Sequence, residues 1–164
     1  MVYINHEYKF IFIENPKSGS SSILKALEKS LRITITREMF PAVAHLTSYE
    51  VSKKVSKEIW NTYKKVTTQR DPFKRFCSSI NFNLHKFDKT QEGLQKHLGN
   101  NKNCVFCLPQ EEFTKNCDFI IHVENIQQDY DDFCKLVGIP TTKVQNHNKA
   151  KRVIFTEKYL FKLW

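Results

Sequence analysis

Short apolar runs alternate along this chain with segments in which apolar residues recur every three or four positions. Residues 8–14 (YKFIFIE) are apolar on both faces, as a buried strand of a parallel sheet requires. Residues 20–32 (SSSILKALEKSLR) place apolar side chains at helical spacing behind serines suited to capping a helix. The pattern therefore predicts a strand, a tight loop and a helix as the first unit.

The same alternation continues through the rest of the chain. Two more strands are predicted, at residues 64–70 and 118–124. The later helices are predicted over residues 48–60, from 72 onwards, and over 91–98, 126–137 and 156–164. Residues 87–112 otherwise lack periodicity. Strands alternating with helices predict one domain, residues 1–164, with a three-layer α/β/α fold around a parallel central sheet.

Composition narrows the classes of partner and cofactor. The 26 Lys and Arg exceed the 17 Asp and Glu, and the net charge of +9 predicts an anionic partner. The 4 glycines cannot be arranged as a GxGxxG dinucleotide loop or a GxxxxGK[ST] phosphate loop. Rossmann oxidoreductases and ordinary Walker-type ATPases are therefore disfavoured.

The apolar runs and the cysteines predict a soluble, cytoplasmic protein. No apolar run approaches the ~20 residues of a membrane helix, and no signal segment opens the chain. The 5 cysteines are an odd number, which favours reduced thiols in a cytosol. Cys104 and Cys107 form a single CxxC with His97 and Cys117 nearby, but a zinc site normally has a second pair. Inert thiols or one local disulfide are preferred to a metal.

The loop between the first strand and the first helix, NPKSGSSS over residues 15–22, predicts an anion site. Backbone N–H groups and the helix dipole converge there, and Lys17 adds a mobile positive charge. Gly19 permits close approach of the backbone, and hydroxyls add donors. The predicted phosphate or sulfate ligands are Pro16, Lys17, Ser18, Gly19, Ser20, Ser21 and Ser22. A solvated serine-rich helix cap is the alternative.

A second group of polar residues follows the second strand, in the segment RDPFKRFCSS over residues 70–79. Arg70 lies at the carboxyl end of the strand, and Ser78 follows about two helical turns later. Ligands of doubly wound sheets lie beyond the carboxyl ends of the strands, so both residues can reach one bound nucleotide. A surface ion pair between Arg70 and Asp71 is the alternative.

Together these segments resemble the carbohydrate sulfotransferase family, in the branch of the heparan sulfate 2-O-sulfotransferases and related microbial enzymes. FIFIENPKSGSSSI is similar to the family's 5′-phosphosulfate loop, and QRDPFKRFCSSINF to its 3′-phosphate motif. DFIIHVENIQQDYDDFCKLVGIP resembles the family's later strand and helix. The resemblance implies a P-loop-like nucleotide-binding sulfotransferase fold, with Arg70 and Ser78 as the 3′-phosphate ligands.

The resemblance also implies a reaction without a metal. A sulfuryl group would pass from 3′-phosphoadenosine 5′-phosphosulfate (PAPS) to an acceptor hydroxyl, leaving 3′,5′-diphosphoadenosine (PAP). Lys17 suits the cation at the bridging oxygen. His45 falls where the family has its catalytic histidine, with a core or surface histidine as the alternative. Lys149, Lys151 and Arg152 correspond to a basic loop over the nucleotide, with a solvated charge run as the alternative. The expected acceptor is a carbohydrate; a small metabolite and protein tyrosine stay open.

Two other functions compete with this interpretation. A small nucleotide kinase would need Mg²⁺, for which Asp71 and Glu124 are the candidate ligands. A non-enzymatic nucleic-acid module would use the positive charge and the aromatic residues Phe73, Phe76 and Phe82. The helical spacing of those three rings favours a core instead, so nucleic acid is not an expected partner. A membrane is not an expected partner either, because the apolar runs are short.

Overall fold

The computed structural model describes residues 1–35, 45–82, 90–100, 108–145, 155, 158 and 160, without the side chains of 97, 99 and 100. It is an α/β structure with one four-stranded sheet. The strands are β1 (Val2–Asn5), β2 (Phe10–Ile13), β3 (Lys64–Gln69) and β4 (Phe119–His122), which lie in chain order. The helices are α1 (Ser20–Leu31), α2 (Ser48–Lys54), α3 (Lys57–Thr62), α4 (Pro72–Phe82), α5 (Gln91–Asn100), α6 (Glu111–Thr114) and α7 (Ile126–Val137).

The sheet is mixed, so the expectation of a parallel sheet is correct only for β2, β3 and β4. β1 had no counterpart in the sequence prediction, and it pairs antiparallel with β2. The turn between them contains neither glycine nor proline, so it lacks the usual hairpin signal. Asn5 supplies the turn instead, because its side-chain oxygen accepts a hydrogen bond of 2.8 Å from the backbone N–H of Tyr8. Lys9 then adopts a left-handed backbone with φ 51°.

Helices cover both faces of the sheet, which gives three layers. Alternate residues of β2 point to opposite faces, so Phe10 and Phe12 belong to one core cluster, and Ile11 and Ile13 to another. The first cluster is completed by α1 and α7, through Ile23, Leu24, Ala26, Leu27, Tyr130, Phe133 and Cys134. The second is completed by α2 and α3, through Val51, Ile59 and Trp60. The continuous apolar run of β2 reflects burial on both faces.

A third cluster joins α4 to α5, and includes Ile80 and Leu94. Phe73 and Phe76 pack against it, which confirms that α4 directs these two rings inward. The same prediction is wrong for Phe82, whose side chain is 55% exposed. Phe82 is the last residue of α4, and the described members of the third cluster do not include it.

Other predicted elements differ mainly at their boundaries. The helix predicted over 48–60 divides in two, because Val55 is extended and the hydroxyl of Ser56 accepts a hydrogen bond from the N–H of Ile59, capping α3. The helix over 126–137 is confirmed and ends at Gly138, with φ 78°. The helix predicted over 156–164 falls largely outside the described residues. Within the described part of the chain, no helix combines the length and apolarity needed to cross a lipid bilayer.

Candidate functional site

The site lies at the edge of the sheet where the three parallel strands end. The register pairs Ile13 of β2 with Thr67 of β3, and Gln69 of β3 with His122 of β4. The loop after β2 and the residue after β3, Arg70, therefore emerge side by side. This is the edge at which open α/β sheets bind ligands.

The loop after β2 has the backbone conformation of an anion nest. Lys17 and Gly19 have left-handed φ values of 64° and 78°, on either side of Ser18. Gly19 also occupies the N-cap position of α1 and provides no side-chain cap. Within the described residues, no backbone N–H from Lys17 to Ser21 donates to another group. These N–H groups are therefore available to an external acceptor.

The hydroxyls of Ser18 and Ser20 contact other parts of the protein and are not free donors for an anion. Ser18 Oγ donates to the carbonyl oxygen of Asn15 at 2.7 Å and lies 2.6 Å from Thr68 Oγ1. Ser20 Oγ makes the same pair of contacts, at 2.8 and 2.7 Å. Both serines are buried, and they tie the loop to β3. Their hydroxyls therefore shape the loop, while their backbone N–H groups remain available for an anion.

Two buried side chains that sequence reasoning missed support this loop. Arg75, on α4, donates from Nε to the carbonyl oxygen of Pro16 and from Nη1 to that of Leu108, both at 2.9 Å. Gln110 holds Arg70 through two bonds: its Oε1 accepts from the backbone N–H at 3.0 Å, and its Nε2 donates to the carbonyl at 2.7 Å. Gln110 Oε1 also lies 3.3 Å from Asn15 Nδ2. No local pattern marks either residue, because both contact groups far away in sequence.

Lys17 and Arg70 bring two positive charges together beside the nest. Arg70 Nη1 lies 3.5 Å from the carbonyl oxygen of Lys17, and the ammonium of Lys17 lies 3.7 Å from the centre of the Phe82 ring. Burial, followed by the charge of Arg70, lowers the pKa of Lys17 to about 8. Arg70 Nε is buried and has no hydrogen-bond acceptor among the described residues. A bound anion would provide a hydrogen-bond acceptor for Arg70 Nε and an opposite charge for Lys17.

His45 lies near the same loop, two residues before Thr47, the N-cap of α2. It has a left-handed φ of 67°, and its Nδ1 is 3.6 Å from Glu14 Oε2. Burial lowers the pKa of His45 below its usual range, more strongly than Glu14 raises it, and the charge of Lys17 lowers it further. The imidazole is therefore neutral at pH 7, and the electrostatic influence of Lys17 reaches it.

The other predicted residues differ in their contacts, and some lie outside the described part of the chain. Ser78 is half-buried on α4, and its hydroxyl makes no hydrogen bond within the described residues. Asp71 Oδ1 accepts from the N–H of Lys74 at 2.8 Å, and Glu124 Oε1 accepts from the N–H of Asp71 at 3.0 Å. Both carboxylates suggested for Mg²⁺ therefore hold backbone groups.

Burial raises the pKa of Cys117 to about 12, so its thiol is inert. The residues outside the described part are Lys149, Lys151, Arg152, Cys104 and Cys107.

Gln110→Ala is expected to destabilise the protein by roughly 1–3 kcal/mol, because it leaves partly buried backbone groups of Arg70 without partners. Urea denaturation measures the change. Gln128→Ala is the control, since Gln128 is exposed on α7 and its amide bonds Asp132 at the surface, and it should cost less than ~0.5 kcal/mol. Equal stability of the two variants would show that Gln110 does not support the site.

Comparison with models of known protein families, with curated proteins and with solved structures found no match to this chain. Its function must therefore be inferred from its own residues and their geometry.

Proposed function

We propose that this protein is a PAPS-dependent sulfotransferase that acts on a hydroxyl group, most simply that of a carbohydrate. The observation that carries the proposal is the pairing, at one sheet edge, of an uncapped helix N-terminus with Lys17 and Arg70. The sheet has helices on both faces, and the site lies beyond the ends of β2 and β3. This arrangement is consistent with a P-loop-like nucleotide-binding fold. The motifs NPKSGSSS and RDPFKRFCSS support the same assignment.

The loop after β2 suits the phosphosulfate end of the donor. Five consecutive N–H groups, from Lys17 to Ser21, have no internal acceptor within the described residues, and they lie at the positive end of α1. Arg75 fixes the loop through the Pro16 carbonyl, and Ser18 fixes it through Thr68. The site is thus built before any ligand arrives, so little ordering entropy is lost on binding.

Arg70 and Ser78 suit the 3′-phosphate. The guanidinium of Arg70 is held at its backbone by Gln110, and its buried Nε has no acceptor within the described part of the chain. A guanidinium presents paired donors that match two phosphate oxygens, and a serine hydroxyl adds another donor. A phosphate oxygen would accept a hydrogen bond from Arg70 Nε, and the negative charge of the phosphate would offset the positive charges of Arg70 and Lys17.

The donor supplies an activated sulfuryl group, whose sulfur–oxygen bond to the phosphate breaks as the acceptor oxygen bonds to sulfur. His45 accepts the proton of the attacking hydroxyl, which requires the neutral imidazole that burial favours. Lys17 stabilises the negative charge that develops on the departing phosphate oxygen. Burial is the main cause of the lowered pKa of His45, and the charge of Lys17 adds a smaller contribution in the same direction.

The first test is ligand binding. PAP at 100 times its dissociation constant is expected to raise the free energy of unfolding by ~2.7 kcal/mol, seen as a thermal shift. ATP with Mg²⁺ tests the kinase alternative, and a short oligonucleotide tests the nucleic-acid alternative. Arg70→Ala should raise the dissociation constant of PAP by roughly tenfold to a hundredfold in calorimetry, and Arg70→Lys by less.

Arg32→Ala is the matched control for Arg70. Arg32 is exposed at the far end of α1, about 18 Å along the helix from the loop, so its loss should leave PAP affinity unchanged. A larger thermal shift with ATP and Mg²⁺ than with PAP would contradict the proposal. Unchanged PAP affinity in Arg70→Ala would remove Arg70 from the site.

Lys17 is expected to affect turnover more than ground-state binding, because the charge it faces develops only as the sulfur–oxygen bond breaks. Its pKa of about 8 in the free protein predicts loss of turnover as the pH rises above that value, since the neutral amine cannot stabilise an anion. A bound anion raises this pKa, so the alkaline limb with saturating PAPS should lie at or above pH 8.

Turnover measured against pH for three variants checks this role. Lys17→Met should lose the alkaline limb together with most of the turnover, and Lys17→Arg should lose the limb alone, because arginine stays charged. Lys25→Met, on the exposed face of α1, should retain the wild-type profile. An equal loss of turnover and PAP affinity in Lys17→Met would make Lys17 a simple phosphate ligand.

His45→Ala is expected to lower turnover by ~10² to 10⁴-fold while changing PAP affinity by only a small factor. The acid limb of kcat/KM should have an apparent pKa below ~6.5, because burial lowers the pKa of His45 in the free protein. The acceptor is first sought among glycan precursors, phenols and tyrosine peptides. His6→Ala, at an exposed histidine bonded to Tyr63, is the control. Wild-type turnover in His45→Ala would move the base to another residue, with Glu124, His97 and His122 as the next candidates.

A further inference from the structure

Helical spacing predicts that the ring of Phe82 is buried, but the structure exposes it. It ends α4, is 55% exposed, and lies beneath the ammonium of Lys17, with 3.7 Å from Nζ to the ring centre. That distance is well within the ~6 Å at which a cation over an aromatic face is attracted by the ring quadrupole. The third core cluster, which buries other residues of α4, does not include Phe82.

The backbone of Lys17 is fixed, but its side chain has four rotatable bonds. The backbone has φ 64°, and its carbonyl oxygen lies 3.5 Å from Arg70 Nη1. The preceding carbonyl, of Pro16, accepts from Arg75 at 2.9 Å. The ammonium itself has no hydrogen-bond acceptor and no carboxylate partner within the described residues. In that part of the chain, the ring of Phe82 is therefore the contact that locates the positive charge.

We propose that Phe82 is the positioning residue of Lys17: its ring holds the ammonium at the mouth of the loop without neutralising it. A carboxylate in this place would bind the ammonium more strongly and would repel an incoming anion. An aromatic face attracts the cation weakly and carries no net charge, so Lys17 can exchange the ring for an anionic ligand. The catalytic meaning of this contact rests on the proposed sulfotransferase function.

The surroundings explain why such a support is needed. Burial and the charge of Arg70 both disfavour the charged form of Lys17, and the charge of Lys17 in turn contributes to the lowered pKa of the His45 imidazole. The ring acts in the opposite sense, because the quadrupole attracts the ammonium and not the neutral amine. Phe82 therefore opposes the lowering of the Lys17 pKa by burial and by the charge of Arg70.

Stepwise fluorination of Phe82, introduced by site-specific incorporation of mono-, di- and trifluorophenylalanine, tests the contact at nearly constant ring size. The pKa of Lys17 is followed by NMR of lysine labelled at Cε in the ligand-free protein, with its signal assigned by its absence in Lys17→Arg. Weakening the negative face of the ring should lower this pKa progressively, by roughly 0.5 to 1 over the series. The same series at Phe113, buried on α6, is the control and should leave the pKa unchanged.

A second measurement separates this inference from the proposed function. With PAPS and an acceptor, Phe82→Leu should lower turnover severalfold with little change in PAP affinity, and Phe82→Tyr should restore it, because only tyrosine keeps the ring. An unchanged Lys17 pKa throughout the fluorinated series overturns the inference even if PAP binds. A falling pKa in a protein that binds no PAP supports the contact and overturns the sulfotransferase proposal instead. Wild-type turnover in Phe82→Leu removes the catalytic role of the ring.

Discussion

Thr68, buried in the sheet, joins the loop after β2 to the neighbouring strand, and the geometry of the site depends on this connection. Its hydroxyl contacts the hydroxyls of Ser18 and Ser20 at 2.6 and 2.7 Å, and its carbonyl accepts from Asn15 Nδ2 at 2.8 Å. Each bond is modest alone, but in a buried network each group left without a partner costs the full desolvation penalty. The loop is therefore held in a conformation in which its N–H groups from Lys17 to Ser21 have no acceptor within the described residues.

This rigid loop carries an unusual charge arrangement. Lys17 and Arg70 lie together, and the described residues provide no carboxylate that pairs with either of them. Burial disfavours the charged form of Lys17, and the neighbouring charge of Arg70 adds to this, so the pKa of Lys17 is lowered to about 8. An arrangement that costs stability and leaves N–H donors unused is typical of a site whose missing partner is a ligand.

Burial affects both of the residues proposed for the chemistry. Lys17 and His45 both have pKa values below their ordinary ranges, chiefly because of burial. The shift leaves the imidazole neutral and the amine still mostly charged at pH 7, which are the forms a proton acceptor and a charge stabiliser require. Glu14, which follows β2 and lies 3.6 Å from His45 Nδ1, moderates the shift of the His45 pKa.

The sequence by itself determined β2, α1 and α7, because their apolar periodicity is strong and local, and it marked Lys17 and Arg70 through their places after strands. Only the tertiary structure decided the β1 hairpin, since its turn lacks glycine and proline. It also decided which way the Ser18 hydroxyl points and how Gln110 reaches Asn15, 95 positions earlier in the chain. Such contacts are absent from any local pattern, because packing of the sheet and helices brings these groups together. Phe82 shows the same limit: helical spacing predicts a buried face, but only the neighbouring loop placed an ammonium above the ring.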